Sequence, residues 1–334
     1  MTPSAIRGSH NTKFLTFAEK LFIINSVIEM KTTGIKWLDT MEFSIDWLNG
    51  VMEFDGSIFD FFKDIALFDD RLRADNWVLL KGGKYHYNQR FCLNGNATFQ
   101  VCWNASEESP FVPYKKGENN NYGIFISISG DGLRYLQQHQ NTLGSLLKYF
   151  YYNGFRCSRF DVNCDIFEKD NPLIPVVIEA FRWALIRKEG ELGLSTNVQR
   201  KSSNFAVYEL VDTYHNERCF NCTLGNHSTR FGMFRCYNKW LELKDGRLSD
   251  VGDAILAAKG NPDYWYRLEY ELHKENAADI FNAFASGKIN LENAFHAAAE
   301  KIFRVIEQGS VWGNISRFDT NAVWAEFLAH NEYG

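Results

Sequence analysis

Proline is scarce in this chain, six in 334 residues, and no tract of low complexity interrupts it. That excludes a Pro-rich spacer and a string of domains on disordered linkers. No run reaches the roughly 18 uninterrupted apolar residues of a membrane span. Met1 to Lys13 is polar and lacks the apolar core of a secretory signal. The seven cysteines are odd in number and irregular in spacing, which argues against a disulfide framework. Reduced thiols and a cytoplasmic location are the expectation. Neither G-x-G-x-x-G nor a Walker loop occurs, so an ATPase has no support. G-x-S-x-G is absent as well, which removes the hydrolases built on that turn. Basic excess is also lacking, with 36 Lys and Arg against 41 Asp and Glu and a net charge of −5. A protein that coats nucleic acid is usually basic, so this balance excludes a simple coat but not an enzyme with a local cluster of cations.

Aromatic side chains, by contrast, are abundant. Twenty-eight Phe and nine Trp exceed the needs of an ordinary core; most are read as core, and the remainder as surfaces that stack on flat partners such as bases. The length allows one large domain or two ordinary ones.

Hydrophobic periodicity predicts runs of strands with helices between and after them. Strands are expected over 35–46, 50–54, 77–80, 85–93, 97–103, 123–130, 155–167, 204–212, 218–224, 231–243 and 264–273. Helices are expected over 17–30, 58–67, 131–139, 142–153, 172–188, 246–259, 277–286 and 291–308. No internal repeat stands out. This pattern is α+β: a central antiparallel sheet with helices packed on one face and a C-terminal helical segment. The expected division is an N-terminal arm (1–34), a main domain (35–275) and C-terminal helices (276–334). Ile280, Phe281, Phe284, Phe295, Ala299, Ile302, Phe303 and Ile306 form an apolar stripe on those last helices. It reads most simply as core-facing, with a homodimer interface as the alternative.

Three strands carry polar groups on one side. Side chains alternate along a strand, so Arg159, Asp161, Asn163 and Asp165 share a face, as do Arg235, Tyr237 and Lys239, and Arg267, Glu269 and Glu271. Each strand alone reads as an ordinary solvated face. Were the three to converge, the result would be a cleft with carboxylates suited to Mg²⁺ or Mn²⁺ and cations suited to a phosphate. Tyr237 would be a candidate nucleophile, and with a free phenol pKa near 10 it needs help to react at neutral pH. Arg182, Arg187, Lys188, Arg200 and Lys201 add a basic helix and loop, either solvated or gripping DNA phosphates. His215, Cys219, Cys222 and His227 suggest zinc by spacing, but Cys219 and Cys222 fall on opposite sides of a strand, which favours buried thiols.

Taken in order, these segments resemble the replication initiation factor family of rolling-circle plasmid and phage initiators and related conjugative-element relaxases. Gly123 to Gly132 is similar to the family's strand and Leu-Ser-Gly-type turn; Phe155 to Asp165 to its Thr-Arg-Leu-Asp-Leu-Ala-x-Asp strand; Arg235 to Lys239 to its Arg-x-Tyr-Asp/Asn-Lys element; and Tyr266 to Glu269 to its Arg-Leu-Glu strand. Gly34 to Trp47 is like its opening strand. The resemblance implies a metal-assisted transesterase that nicks one DNA strand at an origin hairpin or single strand. It would hold the 5′ phosphate on a tyrosine and leave a 3′ end for priming, with a host helicase as partner. It places Asp161, Asp165 and Glu269 on the metal and Arg235 and Lys239 on the phosphate; from their own strands and basic segment, Arg159, Arg267, Arg187, Lys188, Arg200 and Lys201 are the residues expected along the DNA. One position departs: where the family often carries the nucleophilic Tyr, two residues before a Gly, this chain has Thr223 before Gly225. Either another tyrosine serves (Tyr237, less favourably Tyr214), or the chain binds DNA without cutting it.

Overall fold

The computed structural model describes residues 37–38, 40–54, 56–84, 86–106, 109–113, 123–138, 142–186, 192–196, 205–227, 232–246, 249–307 and 318–330. The arm and the helix expected over 17–30 lie outside them, as do Arg187, Lys188, Arg200 and Lys201.

Ten strands form one antiparallel sheet. In chain order the elements begin with β1 (Met41–Met52), α1 (Ile58–Ala66), β2 (Trp77–Leu80), β3 (Gln89–Leu93) and β4 (Phe99–Trp103). A short hairpin of β5 (Ala105–Ser106) and β6 (Ser109–Pro113) leads to β7 (Ile124–Ser129), α2 (Gly130–Gln137) and α3 (Thr142–Tyr152). Next come β8 (Arg156–Ile166), α4 (Leu173–Ile186), β9 (Leu192–Thr196), β10 (Phe205–Asp212), β11 (Glu217–Gly225) and β12 (Met233–Asn238). The chain continues through α5 (Lys239–Asp245), α6 (Ser249–Ala258), β13 (Tyr266–His273), α7 (Lys274–Ala285), α8 (Leu291–Ile302), β14 (Phe303–Glu307) and α9 (Ala322–Ala329).

The sheet order is β10-β11-β12-β13-β8-β1-β7-β4-β3-β2, and it contains a duplication that the sequence hides. In each half a first strand is followed by a helix and a three-strand meander, and the last strand returns between the first strand and the third meander strand. The units β1/α1/β2-β3-β4/β7 and β8/α4/β10-β11-β12/β13 share this path, and they meet where β1 pairs with β8. The absence of a sequence repeat therefore does not extend to topology. Pairing preserves the alternation of faces but sets few residue identities, so a duplicated path survives without a repeated sequence.

One face of the sheet carries the core. Phe160 and Phe281 meet edge-on at 5.8 Å, as do Tyr270 and Phe295 at 4.9 Å, while Phe181 and Phe234 lie tilted at 5.5 Å. These contacts lay α7, α8 and α4 on the same side of the sheet, so the aromatic excess is largely core. Ile280, Phe281, Phe295, Ala299 and Ile302 are buried there, and the C-terminal stripe faces the protein's own interior.

Two predicted elements end early. The strand expected over 231–243 stops at Asn238, whose side chain accepts from the Leu241 N–H and starts α5, an N-cap the alternation had masked. The last long helix ends at Ile302, and Phe303–Glu307 pairs instead with β9. There Phe303 stacks on Trp324 at 5.0 Å.

His296 on α8 is buried among Phe43, Phe295 and Phe327. Both ring nitrogens lack a hydrogen-bond partner among the described residues. Burial drives its pKa down to about 4, against a smaller upward pull from Glu292. A depressed histidine pKa means that the unfolded chain takes up the proton first. Stability should therefore fall as pH drops from about 6.5 to about 4, by up to about 3 kcal/mol from this group alone. His296→Phe should flatten that limb in urea titrations; an unchanged slope between pH 6.5 and 4 would contradict it.

Candidate functional site

Opposite the core, β11, β12, β13, β8 and β1 set three rows of side chains across the sheet. The middle row runs Thr223, Arg235, Glu269, Asn163, Ser44 in register. A second row holds Tyr237, Arg267, Asp165 and Glu42, and a third holds Glu271, Asp161 and Trp47. The three polar strands recognised in the sequence are therefore brought together, β12 beside β13 beside β8. Lys239 is one residue beyond β12, in the first turn of α5, and still reaches to 5.6 Å from the Tyr237 ring.

The carboxylates lie beneath and the cations above. Side chains of Arg159 and Arg235 keep 25% and 35% of their exposure, while Asp161, Glu269 and Glu271 keep 1%, 2% and 1%. Arg159 holds Asp161 at 2.5 Å and Glu271 at 3.0 Å, and lies 4.8 Å over the Trp47 ring. Arg267 grips Asp165 with two bonds of 2.7 Å, and Trp265 donates to the same carboxylate at 2.7 Å. Arg235 pairs with Glu269. A buried charge persists when it is paired and hydrogen-bonded in this way.

Tyr237 donates its hydroxyl to Glu269 Oε2 at 3.0 Å. Burial first, and then the negative charge of Glu269, pushes the phenol well above its ordinary pKa, with Arg267 pulling the other way. At neutral pH the side chain is thus a phenol with an acceptor in place, not a phenolate. Thr223 shares the face but, among the described residues, its hydroxyl meets no side-chain acceptor.

Several participants escaped sequence reasoning. A bulge between Ile45 and Trp47 adds one residue to β1, so Asp46 turns toward Arg267 (3.4 Å) while Trp47 stays on the site face. Gly130, at the start of α2, leaves room for that carboxylate: a Cβ there would stand 2.5 Å from Asp46 Oδ1. Glu271 collects His227 Nδ1 at 2.6 Å and His273 Nε2 at 2.7 Å on one oxygen. Burial raises the pKa of Glu271, but hydrogen bonds from His273 and His227 and the charge of Arg159 outweigh it and hold the carboxyl near 2. The alternation of Arg267, Glu269 and Glu271 had already put Glu271 on this face and extends by one step to His273; His227, on a separate segment, had no such signal.

The donor chemistry at Asp161, Asp165 and Glu269 is that of a hard cation, but the arrangement is not. Each carboxylate is engaged by a guanidinium, and no group of three or more His, Cys, Asp or Glu among the described residues is disposed to hold a metal ion. Mg²⁺ or Mn²⁺ would have to displace an arginine. The residues spaced for zinc are likewise employed elsewhere: His215 on Asp212, His227 on Glu271, and Cys219 and Cys222 as buried thiols. Tyr214, the other tyrosine considered, is exposed and reaches Asp245 at 3.3 Å, away from Glu269. No helix among the described residues is long and apolar enough to cross a membrane.

No family model matches the sequence, and no curated protein does. The fold does have a counterpart. A solved structure described as a rolling circle replication initiator protein from Geobacillus stearothermophilus superposes with a TM-score of 0.58 at 17% identity, over 86% of this chain and 95% of that one. At that identity the likeness is one of fold alone.

Proposed function

We propose that this chain is a DNA strand transferase of the rolling-circle initiator or relaxase type, with Tyr237 as the nucleophile and Glu269 as its base. The observation that carries the reading is the 3.0 Å hydrogen bond from the Tyr237 hydroxyl to a buried carboxylate, with Arg235 and Lys239 at the same ring. The shared fold adds support, because the solved structure it superposes on is described as a rolling circle replication initiator protein.

In the proposed step the Tyr237 oxygen bonds to phosphorus as its proton passes to Glu269. The bond from phosphorus to the 3′ oxygen breaks, the 5′ phosphate stays on the tyrosine, and Glu269 returns the proton to the departing 3′ oxygen. Reversal rejoins the strand. Arg235 and Lys239 stabilise the charge that builds on the non-bridging oxygens, and Arg159, with Trp47 beneath it, holds the neighbouring phosphate. Arg267 sits too deep to meet DNA and instead holds the Asp165 carboxylate in place with two 2.7 Å bonds. The role proposed for the basic loop residues Arg187, Lys188, Arg200 and Lys201 is to grip flanking phosphates. No step is routed through a metal; Mg²⁺ or Mn²⁺ dependence is a separate proposal, read by comparing nicking in each ion and in EDTA.

A second reading has its own observation. Among the described residues the Thr223 hydroxyl has no side-chain acceptor, and Asp161, Asp165, Glu269 and Glu271 are each held by an arginine, as expected of a relative that recognises DNA without cutting it. Supercoiled DNA from the chain's own genetic neighbourhood distinguishes the two. The first reading predicts relaxed circles whose 3′ ends a polymerase extends; tight binding with no relaxed product would favour the second.

A further inference from the structure

A second site lies off the polar face, where the strands β11, β12 and β13 end against α4. A cavity of about 650 Å³ opens there, lined by the rings of Phe167, Phe220, Trp240, Tyr264 and Tyr266 and by Arg182 of α4. Its volume is that of a small-molecule site, and its lining of rings with a few polar groups is the usual one for such a site.

The charges around it decide what it would take. Lys169 is paired with Glu217 at 2.5 Å, Arg218 with Glu209 at 3.0 Å, and the Asp212 carboxylate with His215 at 2.8 Å. Glu179 accepts from the Trp183 indole at 2.6 Å, and Asp263 is a further carboxylate of the lining. Arg182 differs: its guanidinium rests 4.9 Å over the Phe220 ring and has no carboxylate partner among the described residues. A half-buried guanidinium held against a ring keeps its donors for an incoming anion, and its fork matches a phosphate. Trp240 is fixed from behind by Tyr214 at 5.2 Å and His215 at 4.6 Å, so one stacking surface comes already ordered. Tyr264 and Tyr266 supply another, with centroids 5.3 Å apart.

We infer that this cavity binds a nucleotide, its base between the Trp240 and Tyr264 rings and its phosphate on Arg182. Stacking of this kind accepts any base, because each has a π-face. Two sources share the chemistry: an unpaired nucleotide of a bound DNA strand, or a free mononucleotide. The cavity lies on the α4 side of the sheet, opposite the Tyr237 side chain, so the inference stands apart from the transfer reaction.

The test uses the full chain, with 2-aminopurine deoxyriboside 5′-monophosphate and a single-stranded pentanucleotide carrying one central 2-aminopurine as the probes. Stacking quenches 2-aminopurine fluorescence. Saturable quenching is expected, weakened about tenfold or more in Arg182→Gln and in Tyr264→Leu and unchanged in the exposed-surface control Tyr152→Leu. Quenching of the mononucleotide assigns a free nucleotide, and quenching of the pentanucleotide alone assigns an unpaired nucleotide of DNA; either supports the site. No saturable quenching of either probe, or quenching indifferent to both cavity substitutions while circular dichroism reports folded variants, overturns it. Should the mononucleotide bind and no DNA be nicked, the cavity stands and the proposed transferase falls.

Discussion

Arg267→Met should destabilise the protein by about 3–5 kcal/mol, the cost of leaving one member of a buried ion pair alone. Asp165 is 3% exposed and accepts two 2.7 Å bonds from this guanidinium, so its removal leaves a buried carboxylate with the Trp265 indole as its close donor. Urea unfolding at pH 7 measures the loss. Adding Asp165→Asn should restore a large part of it, because the amide needs no counter-charge. A single variant within 1 kcal/mol of wild type would mean that the pair carries little of the sheet's stability. The same pair anchors the row in which Tyr237 stands, so the stability measurement also asks how rigidly that tyrosine is held.

The second large effect concerns chemistry. Glu269→Gln should slow strand cleavage by about 10²–10⁴-fold, the usual contribution of a positioned general base. Glutamine keeps the volume and an acceptor oxygen for the Tyr237 hydroxyl but cannot take the proton. What separates this from a structural defect is the pH profile. Without an internal base, cleavage depends on phenolate already present, so the variant's rate should climb tenfold per pH unit through the alkaline range while wild type stays flatter. A variant as fast as wild type, or slowed equally at every pH, would remove Glu269 from the base role.

Much of this site could be read before any fold was known, because strand alternation is a strict rule. Once β8, β12 and β13 are strands, Arg159 with Asp161 and Asp165, Arg235 with Tyr237, and Arg267 with Glu269 must share their sides. Their convergence was only conditional in the sequence, since pairing order is a long-range property; the return of β13 between β12 and β8 supplies it. Trp47 was hidden because the bulge at Asp46 breaks the alternation: Glu42, Ser44 and Asp46 keep one parity, and Trp47 joins their face out of turn. Lys239 was placed on a strand because Asn238 reads as one more polar position there, whereas its side chain caps a helix. The duplicated path was invisible for the opposite reason: the first half fills the equivalent face with neutral Gln100, Ser127 and Ser129, so nothing in the residues repeats. Partnering of each carboxylate with an arginine was also out of reach, because the alternation gives the side of the sheet and not the contact.

The central claim is that Tyr237 attacks phosphorus. Covalent trapping tests it most directly: the protein is mixed with single-stranded and supercoiled DNA from its own genetic neighbourhood, denatured, digested with protease and mapped by mass spectrometry, with Tyr237→Phe alongside. The account predicts a nucleotide adduct on the peptide carrying Tyr237 and none in the variant. An adduct on Thr223 or another residue, or tight binding with no adduct on any cognate DNA, would contradict it.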